Sequence, residues 1–543
     1  MSILESMEYL LNILGAAERV AVGEDAGEDV DGHESRYADP AGEGRGFRLS
    51  SSLFINPNIN PRPQIQKIKK PIMTQQAKVV FVATPTIGNL VPVVEFSKLL
   101  SQKNQNLSVT VLLINFPQRP LIQSYIDSLA DDGNLEFLSL PAAEPPSPDR
   151  ANISFLSLWI ENHGPHVRRA LTKLKSDDDV RIAGFFIDMF CTSFIDVAEE
   201  LDIPCYLYFA SPASFLSFML HMPTLDAQVR DIEFGDAAKE YVIPGFENPV
   251  PVESFPHFMS KRHEDTYLPF LQHAKRYRET RGMVVNTFQE LESYCLGSMF
   301  AGNDDVGPVY PIGPVVDREG PARWHPDSWN HEMVMEWLDN QPPSSVIFLT
   351  TGSMGCLNPA QIREIATGLD RSGYRFLWSI REPPKSKLDL PNDYTNLYHV
   401  LPPGFSDRTK GKGMVCGWVP QVTILAHKAI GGFVSHCGWN SILEALCHGV
   451  PIGTWPIYAE QHLNAFQMVK ELGLAVEITF DYKDGVTLVS AEAVERGVRK
   501  LMDGDDEVRE KVKEYSDMCK RVWMKNGSSA VSLGKLIEDL NIQ

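Results

Sequence analysis

The sequence predicts an α/β protein, two doubly wound Rossmann-like domains facing each other across a cleft. Three observations predict it. In the first half, VVFVAT, LSVTVLLINF, LEFLSLP, AGFFIDMF, CYLYFAS and GMVVNTF alternate with helical patterns. These runs are rich in Val, Ile and Phe without polar alternation, the signature of parallel strands covered on both faces. A Pro- and Gly-rich stretch, YPIGPVVDREGPARWHPDS, then breaks the pattern. The alternation restarts with SSVIFLTTGS, YRFLWSI, GMVCGWV, GGFVSHCG and VPIGTWP. At 543 residues the chain exceeds one ordinary core, so two domains plus extra sequence are expected.

Taken in order, residues 1–72 read as a disordered extension. GEDAGEDVDGHESRYADPAGEGRG is acidic and Gly-rich with no period, and INPNINPRPQIQKIKKP is Pro-broken. The apolar piece YLLNILGAA is short, follows Glu5 and Glu8, and has no basic leader, so it suits neither a signal nor a transit peptide. Residues 73–314 are expected to form the first domain, 315–343 the linker, 344–525 the second domain and 526–543 a terminal helix. ISFLSLWIENHGPHVRRALTKLK reads as one helical stretch of the first domain. The chain closes with two amphipathic helices, roughly DEVREKVKEYSDMCKRVWM and SAVSLGKLIEDLNIQ.

A net charge of −20 argues against nucleic acid or an anionic membrane surface as the main partner. It leaves room for a small anion in a local pocket. The eight Cys are scattered, with no C-x-x-C pair and no metal-type spacing, and read as reduced thiols of a cytoplasmic protein. No apolar run approaches the roughly 18 residues of a membrane span. A monomer with no metal and no stable membrane insertion is expected. Neither half carries a dinucleotide fingerprint: GKGMVCG at 411–417 has the wrong spacing and precedes a strand. A G-x-x-x-x-G-K-[ST] loop is absent as well, so any nucleotide must be held by other means.

Two segments are placed to carry chemistry. VVFVATPTIGNLVP reads as strand, tight turn and helix, where open α/β folds put their sites. The second runs from Trp418 to Gln461, WVPQVTILAHKAIGGFVSHCGWNSILEALCHGVPIGTWPIYAEQ. There, GGFVSHCG is a strand entering a turn and NSILEALCHG a short helix ending at Gly449. Gly438 permits close approach of a ligand to the backbone. Asn440 and Ser441 open the helix, whose free N–H groups and dipole make an anion site. His436 stands just before the turn, positioned to bond a diphosphate. The bland alternatives are a capping box formed by Ser441 and Glu444, a structural His436, and core roles for Trp418 and Trp439. A second polar tip, Glu460-Gln461, follows the strand VPIGTWP.

Almost throughout its 44 residues, the stretch from Trp418 to Gln461 resembles the signature box of plant secondary-product (family 1) UDP-glycosyltransferases. MVVNTF and TTGSMG match that family too, and the subgroup acting on phenolics and terpenoids looks nearest. The resemblance implies a two-domain glycosyltransferase fold of the GT-B type, with sugar nucleotide in the second domain and acceptor in the first. It implies that Trp418 stacks on uracil, that the Val419 backbone and Gln421 contact base and ribose, and that Glu444 takes the ribose hydroxyls. His436, Asn440 and Ser441 would hold the phosphates, with Ser353 a further phosphate contact. Trp439, Glu460 and Gln461 would meet the sugar hydroxyls. A Gln at the end of the box goes with glucose in this family, so UDP-glucose is the expected donor and no metal cofactor is needed.

One position departs from the pattern. In most family members the first turn reads P-x-x-G-H, and that His is the base that deprotonates the acceptor hydroxyl. Here the turn is PTIGN, with Asn89 in the position of the base, while the partner carboxylate is retained as Asp188 in FFIDMFC. The expected activity is inverting glucosyl transfer to a phenolic or terpenoid hydroxyl, or to a carboxylate, on a small hydrophobic plant metabolite. The alternative is a UDP-sugar-binding protein with weak or no transfer. Asp188 is a candidate substitute base; His163 and His166 lie on a helix of the same domain.

Overall fold

The computed structural model describes residues 76–104, 106–114, 120–129, 135–147, 152–177, 179–230, 232–259, 261–262, 265–300, 306–321, 325, 331–383, 391–480, 487–504 and 506–542. The expected disordered extension, 1–72, lies outside them. The described residues belong to one compact unit.

The first sheet has seven parallel strands: β1 (Gln76–Val82), β2 (Leu107–Leu113), β3 (Leu135–Ser139), β4 (Val180–Asp188), β5 (Cys205–Phe209), β6 (Gly282–Val285) and β7 (Val309–Pro311). Their spatial order is β3-β2-β1-β4-β5-β6-β7. In β1, Val79 and Phe81 point into one apolar core and Val80 and Val82 into another. Because side chains alternate along a strand, a sheet covered on both faces needs apolar residues at every position. The second sheet repeats the plan with β8 (Val346–Thr350), β9 (Arg375–Ser379), β10 (Gly413–Cys416), β11 (Ile430–Ser435), β12 (Ile452–Thr454) and β13 (Ala475–Glu477), in the order β10-β9-β8-β11-β12-β13.

Strand order reverses between β1 and β4 and again between β8 and β11. The carboxyl ends of strands at such a reversal open a crevice in which doubly wound folds bind ligands. Here those four ends deliver Thr84–Asn89, Asp188, Thr351–Ser353 and His436–Asn440. Helices that matter to the site are α1 (Ile87–Lys103), α2 (Ala213–Val229), α3 (Trp439–His448), α4 (Gln461–Phe466) and α5 (Ser528–Asp539).

One feature differs from expectation. The stretch 153–175 is two helices, Asn152–Asn162 and Gly164–Lys175, broken at His163. Pro165 at the start of the second has no N–H to donate, which suits a first turn and not an interior. The terminal helix α5 returns to the first domain. Leu533, Leu536 and Leu540 share a core with Val79 and Phe81, and Asp539 accepts the Tyr206 hydroxyl at 2.6 Å and an Arg281 N–H at 2.9 Å.

Candidate functional site: a cleft between two sheet ends

On the second domain, α3 starts at the end of β11. Its N-cap is Gly438, in extended conformation, and it stops at Gly449, whose φ of 70° is easy only for glycine. Ser441 therefore lies inside the first turn and cannot act as N-cap, and the capping box with Glu444 does not form. Instead the Gln421 amide donates to Ser441 Oγ at 2.8 Å and to Glu444 Oε2 at 2.6 Å. One NH2 group thus sets the rotamers of two residues on α3. Burial raises the Glu444 carboxyl to about 7, against the opposing Gln421 bond.

His436 is buried between two glycines. A Cβ on Gly352, whose φ is +79°, would stand 2.7 Å from its ring, and one on Gly438 would stand 2.6 Å from Nε2. Both positions need glycine for the imidazole to fit. Burial lowers the His436 pKa to about 4, so the ring is neutral at neutral pH, and its buried Nδ1 has no partner. A buried nitrogen without a bond is costly unless a ligand supplies one. Ser353 follows Gly352 at the end of β8 and is exposed.

Trp418 is buried, and the ring of His325 lies flat against it with centroids 3.5 Å apart and planes 4° apart. Its backbone N–H donates to Asp393 at 2.9 Å, and Val419 beside it is buried in the second-domain core. Trp439 is buried as well. Its indole N–H donates to the Asn286 carbonyl of the first domain at 2.7 Å, which leaves the side chain no N–H for a sugar. Gln461 opens α4, with Oε1 accepting the Ile457 and Tyr458 N–H groups at 2.9 and 3.0 Å. That fixes the amide orientation, and the side chain also bonds the Tyr458 phenol oxygen. Glu460 precedes it, its carboxyl pushed up by burial.

Across the cleft, Asp188 is 1% exposed at the end of β4. Its Oδ1 accepts the Thr84 hydroxyl at 2.7 Å and the Phe190 N–H at 3.1 Å, and its Oδ2 accepts Asn89 Nδ2 at 3.0 Å. Burial raises its pKa while all three bonds oppose that rise. Thr86 donates in turn to Asn89 Oδ1 at 2.6 Å. Asn89 sits half-buried in the first turn of α1. One amide hydrogen of Asn89 remains for a ligand, and an amide takes no proton at neutral pH. The two sides meet where Asn440 Nδ2 donates to the Gly88 carbonyl at 3.3 Å. His163 is fully buried with Nδ1 on the Trp159 carbonyl at 2.8 Å, and neither it nor His166 is bonded to Asp188 or Asn89.

Residues absent from the sequence reading also shape the site: Thr84 and Thr86, which orient the Asp188–Asn89 pair, Gly352, and His325. Gly352 was legible as the glycine of TTGSMG. The other three are ordinary residue types whose partners are distant in sequence or unremarkable locally.

Residues 307–531 match the family model described as UDP-glucoronosyl and UDP-glucosyl transferase. Over 472 residues the chain is 50% identical to UDP-glycosyltransferase 43 of Pueraria montana var. lobata, covering 85% of this chain and 99% of that protein. It is 44% identical over 482 residues to UDP-glucose flavonoid 3-O-glucosyltransferase 6 of Fragaria ananassa, covering 86% of this chain and 99% of that one. Among solved structures, UGT71G1 of Medicago truncatula complexed with UDP-glucose superposes with a TM-score of 0.78 at 40% identity, covering 86% of this chain and 99% of that chain. The two-sheet architecture, the cleft between the sheet ends and these relatives lead to one conclusion: the chain belongs to the plant family 1 UDP-glycosyltransferases.

Proposed function

We propose that the protein transfers glucose from UDP-glucose, with inversion, to an oxygen of a small hydrophobic plant metabolite that loses its proton easily. The observation that carries this reading is the Asn89–Asp188 pair, beside the Asn440–Gly88 contact that joins the two domains. In the proposed reaction the acceptor oxygen attacks the anomeric carbon from the first-domain side. The bond from that carbon to the diphosphate breaks, and UDP leaves. His436, Asn440, Ser441, Ser353 and the free N–H groups at the start of α3 hold the diphosphate, with Gly438 allowing its close approach. Glu444 and Gln421 take the ribose, Trp418 and the Val419 backbone the uracil, and Glu460 and Gln461 the sugar hydroxyls. Trp439 takes part through its backbone, since its indole is committed to Asn286.

The proton of the acceptor has no imidazole to receive it. Asp188 is closed off by its three bonds, so its role is to hold Asn89, and Asn89 donates its remaining amide hydrogen to the acceptor oxygen. A positioned base is worth about 10²–10⁴-fold, whereas holding the reactants together is worth roughly 7–11 kcal/mol of barrier. Turnover therefore survives without the base, most readily for acidic phenols and carboxylates that arrive ionised. Relatives named for flavonoids support a phenolic acceptor. The enzyme is proposed to act in the cytoplasm as a monomer without a metal. Among the described residues no group of three His, Cys, Asp or Glu could hold a metal ion, and no helix is long and apolar enough to cross a membrane.

The test is purified protein with UDP-glucose and a panel of alcohols, phenols and carboxylic acids, read by mass spectrometry with and without EDTA. Gain of one hexose, unaffected by EDTA and greatest on acidic acceptors, is expected. UDP-glucose binding without hexose gain on any acceptor would favour the alternative of a sugar-nucleotide-binding protein.

A further inference from the structure

The first-domain segment 286–292 touches the donor machinery at both ends. At one end the Asn286 carbonyl accepts the Trp439 indole N–H at 2.7 Å, and Trp439 is the first residue of the phosphate-side helix α3. The Asn286 side chain is itself pinned by the Val315 N–H at 2.8 Å and the Val315 carbonyl at 3.0 Å. At the other end Glu292, 2% exposed, accepts the Ala213 and Ser214 N–H groups at 2.8 and 2.9 Å, at the positive end of α2. The same carboxylate accepts Gln467 Nε2 from the second domain at 2.6 Å. Ser214 Oγ closes the ring by donating to Gln467 Oε1 at 2.8 Å.

Gln467 begins a π-helical turn, Gln467–Glu471, that continues directly from α4. Such turns insert one extra residue and redirect side chains, and they recur at functional sites. Here Gln467, at the start of the turn, reaches the first domain, while Gln461 stands at the other end of α4. Glu471, at the far end of the same turn, accepts the Glu247 and Asn248 N–H groups at 2.7 and 3.1 Å. Just ahead of α4, the Ala459 carbonyl accepts the His257 N–H of the first domain at 2.8 Å. The Glu460-Gln461 tip is thus bracketed on both sides by bonds to the acceptor domain.

We infer that Glu292, through Gln467 and Ser214, is a positioning residue that fixes the Glu460-Gln461 tip against the acceptor domain and so sets the fit of the donor's hexose. Glu292 touches no substrate in this scheme. A buried carboxylate held by three uncharged N–H donors is expensive to keep, and a simple helix cap would need neither Gln467 nor its burial. The inference rests on the proposed assignment of Glu460 and Gln461 to the sugar.

The experiment compares the whole chain with three variants, Glu292→Gln, Gln467→Met and Ser214→Ala. The last two leave the α2 N–H groups bonded to Glu292 and serve if the first fails to fold. Calorimetry measures UDP, UDP-glucose and UDP-galactose, and kinetics measures hexose transfer. UDP affinity should stay unchanged, because base and diphosphate are held elsewhere on the second domain. The extra affinity of UDP-glucose over UDP, and the preference for glucose over galactose, should shrink several-fold. Transfer kcat should fall by up to about 10²-fold, as expected for a small misplacement of the reacting groups. Parallel loss of UDP and UDP-glucose affinity would overturn the inference, and so would folded variants that keep the sugar increment and preference. Absence of any sugar increment in the unaltered protein would overturn it too. An unaltered protein that shows the increment but transfers no hexose would refute the transferase reading alone.

Discussion

Asn89 donates its amide to Asp188 at 3.0 Å, the bond on which the proposed acceptor selectivity rests. An amide and an imidazole can both offer an N–H to the carboxylate. Only the imidazole also has a nitrogen that accepts a proton at neutral pH.

Asn89→His should therefore restore proton transfer. Rates for aliphatic alcohols and weakly acidic phenols should rise by up to about 10²–10⁴-fold, while carboxylates change little. For the unaltered enzyme, phenol rates should climb with pH and carboxylate rates stay flat. Steady-state kinetics across pH checks both, and equal alcohol rates in the two proteins would refute the selectivity reading.

Asp188→Ala should harm every acceptor class alike. It strands the Thr84 hydroxyl, the Phe190 N–H and the Asn89 amide, at about 1–3 kcal/mol for each buried group left unpaired. A lowered Tm and loss of carboxylate as well as phenol transfer are expected. Loss confined to acceptors that must shed a proton would instead make Asp188 the base.

Gly352→Ala should weaken UDP binding with modest effect on folding. The added methyl would meet the His436 ring at 2.7 Å, at a φ of +79° that alanine tolerates poorly. His436→Ala should weaken UDP by removing the partner itself and leave Tm nearly intact. Calorimetry and thermal unfolding read both. Full UDP affinity in a folded His436→Ala protein would remove His436 from the diphosphate site.

Glu444, proposed to take the ribose hydroxyls, should give UDP binding a pH dependence. Its folded-state pKa, about 7, lies above the ordinary 4.5. A carboxyl raised in this way contributes stability that is fully present below its unfolded pKa and lost as pH rises through about 7. Bound ribose hydroxyls favour the carboxylate, so UDP affinity should increase as pH passes 7. Glu444→Gln should flatten both trends, which thermal unfolding and calorimetry on either side of pH 7 would register.

A protein starting at Met73 should keep its Tm and its activity. The first sheet begins at Gln76, which pairs with Val180 and donates its N–H to the Asp179 carbonyl. Loss of turnover on truncation would give the extension a role.

Much of the fold is legible in the sequence. Apolar runs without alternation specified strands buried on both faces, because Val79, Val80, Phe81 and Val82 each need an apolar neighbour on whichever side they point. The apolar runs on both sides of the Pro-Gly break signalled two such sheets. The helix break at His163 was signalled locally by Gly164-Pro165, yet the apolar spacing on either side masked it.

The partners of polar side chains were not legible. Ser441 and Glu444 have capping-box spacing, but the helix begins at Gly438 and Gln421 claims both. The indole of Trp439 belongs to Asn286, 153 residues away, and Glu292 is joined to Gln467 across 175. Local sequence determines the period of burial, hence the elements and their order, because that preference acts within a few residues. A hydrogen bond needs a donor and an acceptor within about 3 Å and in line. Among residues so far apart in the chain, only the packing of the two domains brings them there.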